Sequence, residues 1–142
     1  MPSDTAPLPS VPAPLPHIYV LNADPSFLTL MGDLLQQKGV HVTLEQLQPQ
    51  VDVTLAHLRA AAPGLVLLDA PPTRPEPAQC LAGMAADAKL RRLPVVLTST
   101  TPDLATRLAD QYPALVRATL PKPFDLDVLY QTLGRLLAIE LR

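Results

Sequence analysis

Proline is the residue that most restricts how this chain can fold. The 142-residue sequence contains 18 prolines, roughly 13% of the chain where ~5% is usual. Because proline lacks a backbone N–H and clashes with the preceding helical turn, it is confined to loops, element ends and edge strands. Six prolines fall within residues 1–16, which show no helical or strand periodicity. We therefore predict an extended tail over residues 1–16 and one folded domain over residues 17–142. The tail could itself serve as a proline-rich ligand for a partner protein.

Composition and charge exclude several classes of protein. Hydrophobic residues make up 48% and charged residues 17% of the sequence, which supports one substantial core rather than a disordered chain. The formal net charge of −2 argues against nucleic-acid binding. Cys80 is the single cysteine, which fits a reducing compartment. The sequence contains no apolar run of the ~18 residues that a membrane helix needs. The first sixteen residues also lack the basic residues of a targeting signal. We expect a cytoplasmic protein without membrane or nucleic-acid partners.

Strand and helix patterns alternate five times after residue 16. Short apolar or β-branched runs predict five strands, which are His17–Asn22, Val40–Leu44, Leu65–Asp69, Pro94–Thr98 and Val116–Leu120. A stripe of apolar residues at helical spacing follows each strand. This alternation predicts an α/β fold, with a five-stranded parallel sheet in the doubly wound, flavodoxin-like (βα)5 topology and helices on both faces.

Helix starts and inward faces follow from the same pattern. Asp24, Thr101 and Asp125 are suitable N-caps, and Pro25 and Pro102 suit the first helical turn. The third helix is expected over roughly residues 78–89. The spacing directs the following residues of the first, third and fifth helices to the core: Phe27, Leu30, Met31, Leu34, Leu35, Leu81, Met84, Ala88, Leu126, Leu129, Tyr130, Leu133, Leu136 and Leu137.

Polar residues follow several of the predicted strands. In a doubly wound sheet the functional crevice lies beyond the carboxyl ends of the strands. Those ends present the following residues: Asn22, Ala23, Asp24, Asp69, Ser99 and Lys122. A carboxylate at the end of an apolar strand needs a partner, and Lys122 is a natural one for Asp69. Taken alone, this pair is equally consistent with a purely structural ion pair.

The motifs at these strand ends resemble the receiver domain of two-component response regulators, the family that includes the chemotaxis regulators. They are V-L-N-A-D-P-S-F-L at Val20–Leu28, L-V-L-L-D at Leu65–Asp69, L-P-V-V-L-T-S at Leu93–Ser99 and L-P-K-P-F-D at Leu120–Asp125. The resemblance covers residues 17 to 142. The sequence is thereby identified as a receiver-like domain for phosphorelay signal transduction.

The resemblance implies phosphoryl transfer. A phosphohistidine of a histidine kinase, or of a phosphotransfer protein, would donate its phosphoryl group to Asp69, aided by magnesium. Lys122 would pair with a phosphoryl oxygen, and Ser99 would be the switch hydroxyl. The resemblance also implies a cis Lys122–Pro123 bond. Thr119 stands where the family usually has an aromatic switch residue.

The acidic metal pocket of the family is degenerate in this sequence. Receivers normally carry two adjacent acids after the first strand, and here those positions hold Asn22 and Ala23. Asp24 matches a third acid, although its expected role is to cap a helix. Because magnesium prefers oxygen ligands in octahedral geometry, Asp69 and Asp24 are expected to form at most a weak magnesium site.

The sequence is compatible with three functional interpretations. The first is a single-domain response regulator without enzymatic activity of its own, phosphorylated on Asp69 and signalling to an unknown output protein as a monomer or weak homodimer. The second is a pseudo-receiver, an interaction module that works without phosphorylation. The third is a small-molecule-binding or flavin-binding protein, or an enzyme, on a flavodoxin-like sheet, which the lack of a phosphate-cradling loop disfavours.

Overall fold

The computed structural model describes residues 15–141 of the chain. Residues 1–14, most of the predicted proline-rich tail, lie outside the described residues. Five strands are present, namely β1 His17–Asn22, β2 His41–Gln46, β3 Leu65–Asp69, β4 Val95–Ser99 and β5 Val116–Pro121. Five helices alternate with them, namely α1 Pro25–Gln37, α2 Val51–Ala61, α3 Glu76–Ala85, α4 Pro102–Gln111 and α5 Leu126–Leu137.

The strands form one parallel sheet in the order β2-β1-β3-β4-β5. Each neighbouring pair is parallel, and β3 lies at the centre with β1 and β4 on its two sides. β1 lies beside the central strand, β2 lies at one edge, and β3 to β5 follow in order towards the other edge, so that the ends of β1, β3 and β4 lie together. The predicted doubly wound α/β fold is confirmed.

Side-chain alternation along the strands creates two cores, one on each face of the sheet. On one face, Ile18 and Val20 of β1 pack with α1 and α5, and we call this the α1–α5 face. On the other, Tyr19 and Leu21 pack with α2, α3 and α4, and we call this the α2–α4 face. All five residues of β3 are buried, because helices cover both of its faces.

The inward face of α1 differs from the predicted one. Leu28, Met31 and Leu35 are buried, whereas Leu30, expected in the core, is 55% exposed. Successive helical residues are separated by roughly 100°, so the true stripe is rotated by about one residue from the predicted stripe. The error arose because apolar residues surround much of this helix, which leaves the direction of its core face poorly determined by spacing alone.

Two further helix predictions were wrong in detail. The third helix begins earlier and ends earlier than residues 78–89, and Ala88 is exposed in the turn that follows it. Asp87 lies two residues beyond the end of this helix, and its side chain accepts from the backbone N–H of Lys89 at 2.8 Å, which stabilises the turn that follows. Leu126, expected in the core, is 42% exposed at the start of α5.

The predicted N-cap positions are correct, but only one side chain caps its helix. Asp24 accepts from the backbone N–H of Ser26 at 2.9 Å, with Pro25 in the first turn. Thr101 and Asp125 also occupy N-cap positions, without a side-chain capping hydrogen bond. The Lys122–Pro123 peptide bond is cis, as predicted.

Helix length bears on membrane insertion. The longest of the described helices, α1, has 13 residues, which span roughly 20 Å, whereas a bilayer core is ~30 Å thick. Within residues 15–141, no helix is long and apolar enough to cross a membrane.

Two histidines meet where β1 and β2 begin. The rings of His17 and His41 stack with their centroids 4.2 Å apart, and His17 Nε2 lies 2.7 Å from Thr43 Oγ1. Burial, and secondarily the neighbouring His41, lower the pKa of His17 below its usual 6.5. The folded protein therefore favours the neutral imidazole of His17.

This lowered pKa predicts acid destabilisation. Below about pH 6.5 the unfolded chain binds a proton at His17 that the folded chain does not yet bind. The free energy of unfolding therefore falls as the pH decreases below about 6.5, and the contribution of neutral His17 to stability is complete above that pH. We expect His17→Gln to flatten the slope of unfolding free energy against pH in urea titrations between about pH 7 and pH 5. Equal slopes for both proteins would show that His17 does not contribute.

Candidate functional site

Strand register brings three polar side chains to one face at the carboxyl edge of the sheet. Asp69 pairs with Thr98 of β4, so their side chains lie on the same face. Leu21 of β1 pairs with Leu68 of β3. The next residues along these two strands are Asn22 and Asp69. Asn22 therefore lies beside Asp69. This is the α1–α5 face, since the residues two positions earlier in each strand pack in that core.

Asp69 is the centre of this arrangement. Lys122 Nζ lies 2.6 Å from Asp69 Oδ1, and the Thr98 hydroxyl donates to the same oxygen at 2.9 Å. Asp69 is buried, with 8% of its surface exposed, so these contacts replace much of the hydration that its carboxylate loses. The predicted pairing of Asp69 with Lys122 is present. We call Asp69, Lys122, Thr98 and Asn22 together the Asp69 site.

Lys122 is held from two sides. It directly follows β5, and its backbone N–H donates to the carbonyl of Ser99 at 2.8 Å. Its ammonium lies 4.9 Å from the centroid of the Phe27 ring, in the first turn of α1, a distance at which the ring attracts a cation. Phe27 thus belongs to the surroundings of the site, although the sequence pattern marked it only as a core residue.

Ser99 is placed differently from the expectation. Its hydroxyl donates to the carbonyl of Ala70 at 2.9 Å and accepts from the backbone N–H of Thr101 at 3.0 Å. The hydroxyl that contacts Asp69 is that of Thr98 instead. Strand alternation explains this, because Ser99 follows Thr98 and so faces the other side of the sheet. The switch role of Ser99 remains a prediction.

The segment after β1 turns back on itself through side-chain hydrogen bonds. Asn22 Oδ1 accepts from the backbone N–H of Asp24 at 2.8 Å, and Asp24 in turn caps α1. The carbonyl of Ala23 accepts from Gln46 Nε2 at 3.1 Å. Asn22 is 2% exposed, and its Nδ2 has no hydrogen-bond partner among residues 15–141.

Few side-chain ligands for a divalent cation lie beside Asp69. Asp24 is exposed and its carboxylate is engaged in capping α1, Ala23 offers no side-chain ligand, and the oxygen of Asn22 is committed to a backbone N–H. Within the described part of the chain, no three acidic, histidine or cysteine side chains lie together in a cluster that could hold a metal ion. Magnesium prefers several oxygen ligands at near-octahedral angles, whereas the side chains that contact Asp69 are the donors Lys122 and Thr98.

An arginine outside the motifs at the strand ends holds the loop after β3. Arg74 Nε lies 2.6 Å from Glu76 Oε1, and its guanidinium donates to the carbonyl of Leu47 at 3.4 Å. The same loop contains Pro71 and Pro72, whose rings restrict the backbone. These features together limit the conformations of the loop next to Asp69.

A second polar cluster lies on the α2–α4 face, away from Asp69. Glu45 accepts a hydrogen bond from the Tyr19 hydroxyl and lies 3.1 Å from His57 Nδ1. Burial and the bond to Glu45 raise the pKa of Tyr19. Burial, with smaller effects from Glu45 and Glu76, raises the pKa of Cys80 to about 12. The thiol of Cys80 therefore stays protonated, and the thiolate required of a nucleophile is absent near neutral pH.

Comparison with known proteins identifies the fold. No protein-family model and no curated protein sequence matches the chain. Among solved structures it is similar to a sensor protein from Polaromonas sp. JS666 (20% identity, TM-score 0.73, covering 88% of this chain and 98% of that one). It is also similar to a response regulator receiver protein from Burkholderia phymatum (24%, 0.68, covering 89% and 98%).

A third similar structure bears on metal binding. It is the receiver domain of the sensor histidine kinase PA1611 from Pseudomonas aeruginosa PAO1 (19% identity, TM-score 0.69, covering 87% of this chain and 98% of that one). That protein has a magnesium ion coordinated in its active-site cleft. The present chain thus has the fold of response regulator receiver domains, as its motifs predicted.

Proposed function

We propose that this protein is a receiver module in two-component signalling whose Asp69 accepts a phosphoryl group from a histidine kinase or a phosphotransfer protein. The observation that carries the proposal is the 2.6 Å contact between Lys122 Nζ and Asp69 Oδ1 at the carboxyl edge of a receiver fold. An acidic nucleophile there, paired with a lysine, suits the transfer of an anionic group.

In the proposed transfer, a carboxylate oxygen of Asp69 forms a bond to phosphorus while the P–N bond of the donor phosphohistidine breaks. The electron pair of that bond stays with the imidazole, which takes a proton from solvent. Negative charge then lies on the phosphoryl oxygens, within reach of the Lys122 ammonium. The Thr98 hydroxyl, already 2.9 Å from Asp69 Oδ1, holds the carboxylate in place during the transfer.

We further propose that magnesium binds this site weakly or not at all. In phosphoryl transfer the cation neutralises charge that develops on the oxygens. The residues beside Asp69 offer few ligands for it, since Ala23 and Asn22 replace the usual acidic pair. The chemistry assigned above therefore involves only groups of the chain itself.

The signal would pass to a partner protein rather than through catalysis on a separate substrate. Leu126 and Val128, at the start of α5, are 42% and 44% exposed, which suits contact with an output protein near α4 and α5. Thr119 on β5 is exposed and carries no aromatic ring. The output partner, the oligomeric state and the cytoplasmic location remain predictions.

A pseudo-receiver that works without phosphorylation is the second candidate. The observation that favours it is the use of Asp24 as a helix cap, together with Ala23 in place of an acid. Both candidates share the fold and the Asp69–Lys122 pair, and they differ in whether phosphate reaches Asp69.

Treatment with a small phosphodonor separates the two candidates. We expect incubation with phosphoramidate or acetyl phosphate, with and without magnesium, to add the mass of one phosphoryl group in intact mass spectrometry. Reduction with borohydride and peptide mapping should place the modification on Asp69. An unchanged mass under both conditions, with a control receiver labelled in parallel, would favour the pseudo-receiver.

A further inference from the structure

The side-chain amide of Asn22 has a fixed orientation. The backbone N–H of Asp24 donates to it at 2.8 Å, and only the oxygen of an amide accepts such a bond. Nδ2 must therefore point away from Asp24. Asn22 is 2% exposed, and this NH2 group has no hydrogen-bond partner among residues 15–141. Buried donors of this kind are uncommon in proteins and require an explanation.

The position of Asn22 supplies the explanation. Its side chain lies on the α1–α5 face beside Asp69, as the pairing of Leu21 with Leu68 requires. Lys122 Nζ and Thr98 Oγ1, the two groups that contact Asp69, are both donors. Two donors thus contact the Asp69 carboxylate, and the unpartnered Nδ2 of Asn22 belongs to the neighbouring strand on the same face of the sheet.

Charge also distinguishes this site from an acidic pocket. Carboxylates at the positions of Asn22 and Ala23 would repel a phosphoryl group unless a cation neutralised them. Here Asp69 and Lys122 carry opposite charges 2.6 Å apart, and Asn22 and Thr98 are neutral. A phosphoryl group on Asp69 would meet an ammonium, a hydroxyl and an amide NH2 at this edge.

We propose that Asn22 Nδ2 donates a hydrogen bond to an oxygen of the phosphoryl group on Asp69, so that the Asp69 site holds this group without a divalent cation. The inference rests on the proposed function, since it concerns the same phosphoryl group. Asn22 replaces an acidic residue of the usual pocket. The inference assigns it a direct contact with the transferred phosphoryl group.

Beryllofluoride, which mimics a phosphoryl group on a carboxylate, provides the test. The full chain is titrated while amide NMR shifts are followed at residues 69, 99 and 122, once with chelator-treated buffer and once with magnesium. The informative variant is Asn22→Asp, which keeps the acceptor for the Asp24 N–H, removes the Nδ2 donor and adds a carboxylate. Far-UV circular dichroism confirms that the variant is folded. Asn22→Ser, which lacks the added charge and whose hydroxyl is one bond shorter in reach than Nδ2, serves as a second variant.

We expect the wild type to bind without magnesium, with less than about a twofold change when magnesium is added. Asn22→Asp and Asn22→Ser should each bind at least about tenfold more weakly without magnesium, the loss expected for removing a hydrogen bond to a charged group; magnesium should restore binding only in Asn22→Asp. Wild-type binding that requires magnesium, or variants that bind as the wild type does, would overturn the inference and leave the proposed function standing. No binding under either condition would overturn both.

Discussion

Asp69→Asn is expected to lower phosphoryl incorporation from a small phosphodonor by about 100-fold or more. An amide oxygen is a far weaker nucleophile than a carboxylate oxygen, and the acyl phosphate needs that carboxylate. The Lys122 ammonium can still contact the amide oxygen, and the replaced ion pair is partly exposed, with 24% of the Lys122 side chain accessible. We therefore expect the unfolding free energy to change by no more than about 1–2 kcal/mol. Intact mass spectrometry and urea unfolding measure the two effects.

Asp33→Asn is the matched control for this substitution. Asp33 lies on the exposed side of α1, so the same change of one carboxylate to an amide leaves the Asp69 site untouched. Incorporation in Asp33→Asn should equal that of the wild type. Equal labelling of Asp69→Asn and the wild type would show that another residue accepts the phosphoryl group, and the assignment of Asp69 would then be wrong.

The central contact of the site could be predicted from the sequence because it depends only on topology. Asp69 and Lys122 each follow a predicted strand, and parallel strands end at the same edge of the sheet. The identity of the neighbouring hydroxyl depends on register instead. A shift of one residue between β3 and β4 exchanges Thr98 and Ser99 at the position beside Asp69. Nothing in the local pattern of L-P-V-V-L-T-S determines that register.

The role of Asn22 illustrates the same limit. The sequence shows which residue replaces an acid, and it therefore predicts a weak metal site. It does not show the direction of an amide group, which here follows from a turn that presents the Asp24 N–H to the oxygen of Asn22. The sequence shows that two acidic side chains are missing from this site, and the structure shows that the side chains in contact with Asp69 are hydrogen-bond donors.

Leu28→Ala and Leu30→Ala provide the sharpest test of the fold where the sequence pattern was misleading. Leu28 is 7% exposed and packs in the core of the α1–α5 face, whereas Leu30 is 55% exposed. We expect Leu28→Ala to lower the unfolding free energy by about 2–4 kcal/mol, because the substitution removes buried methyl groups and leaves a cavity.

Leu30→Ala is the control for this effect, since it makes the same chemical change two residues away in the same helix. It should change the unfolding free energy by less than about 0.5 kcal/mol, because an exposed leucine loses little on truncation and alanine favours helix. Urea titrations of the two variants measure the difference. A larger loss of unfolding free energy for Leu30→Ala than for Leu28→Ala would mean that α1 packs with the face predicted by spacing. Phe27 would then no longer lie against the Lys122 ammonium.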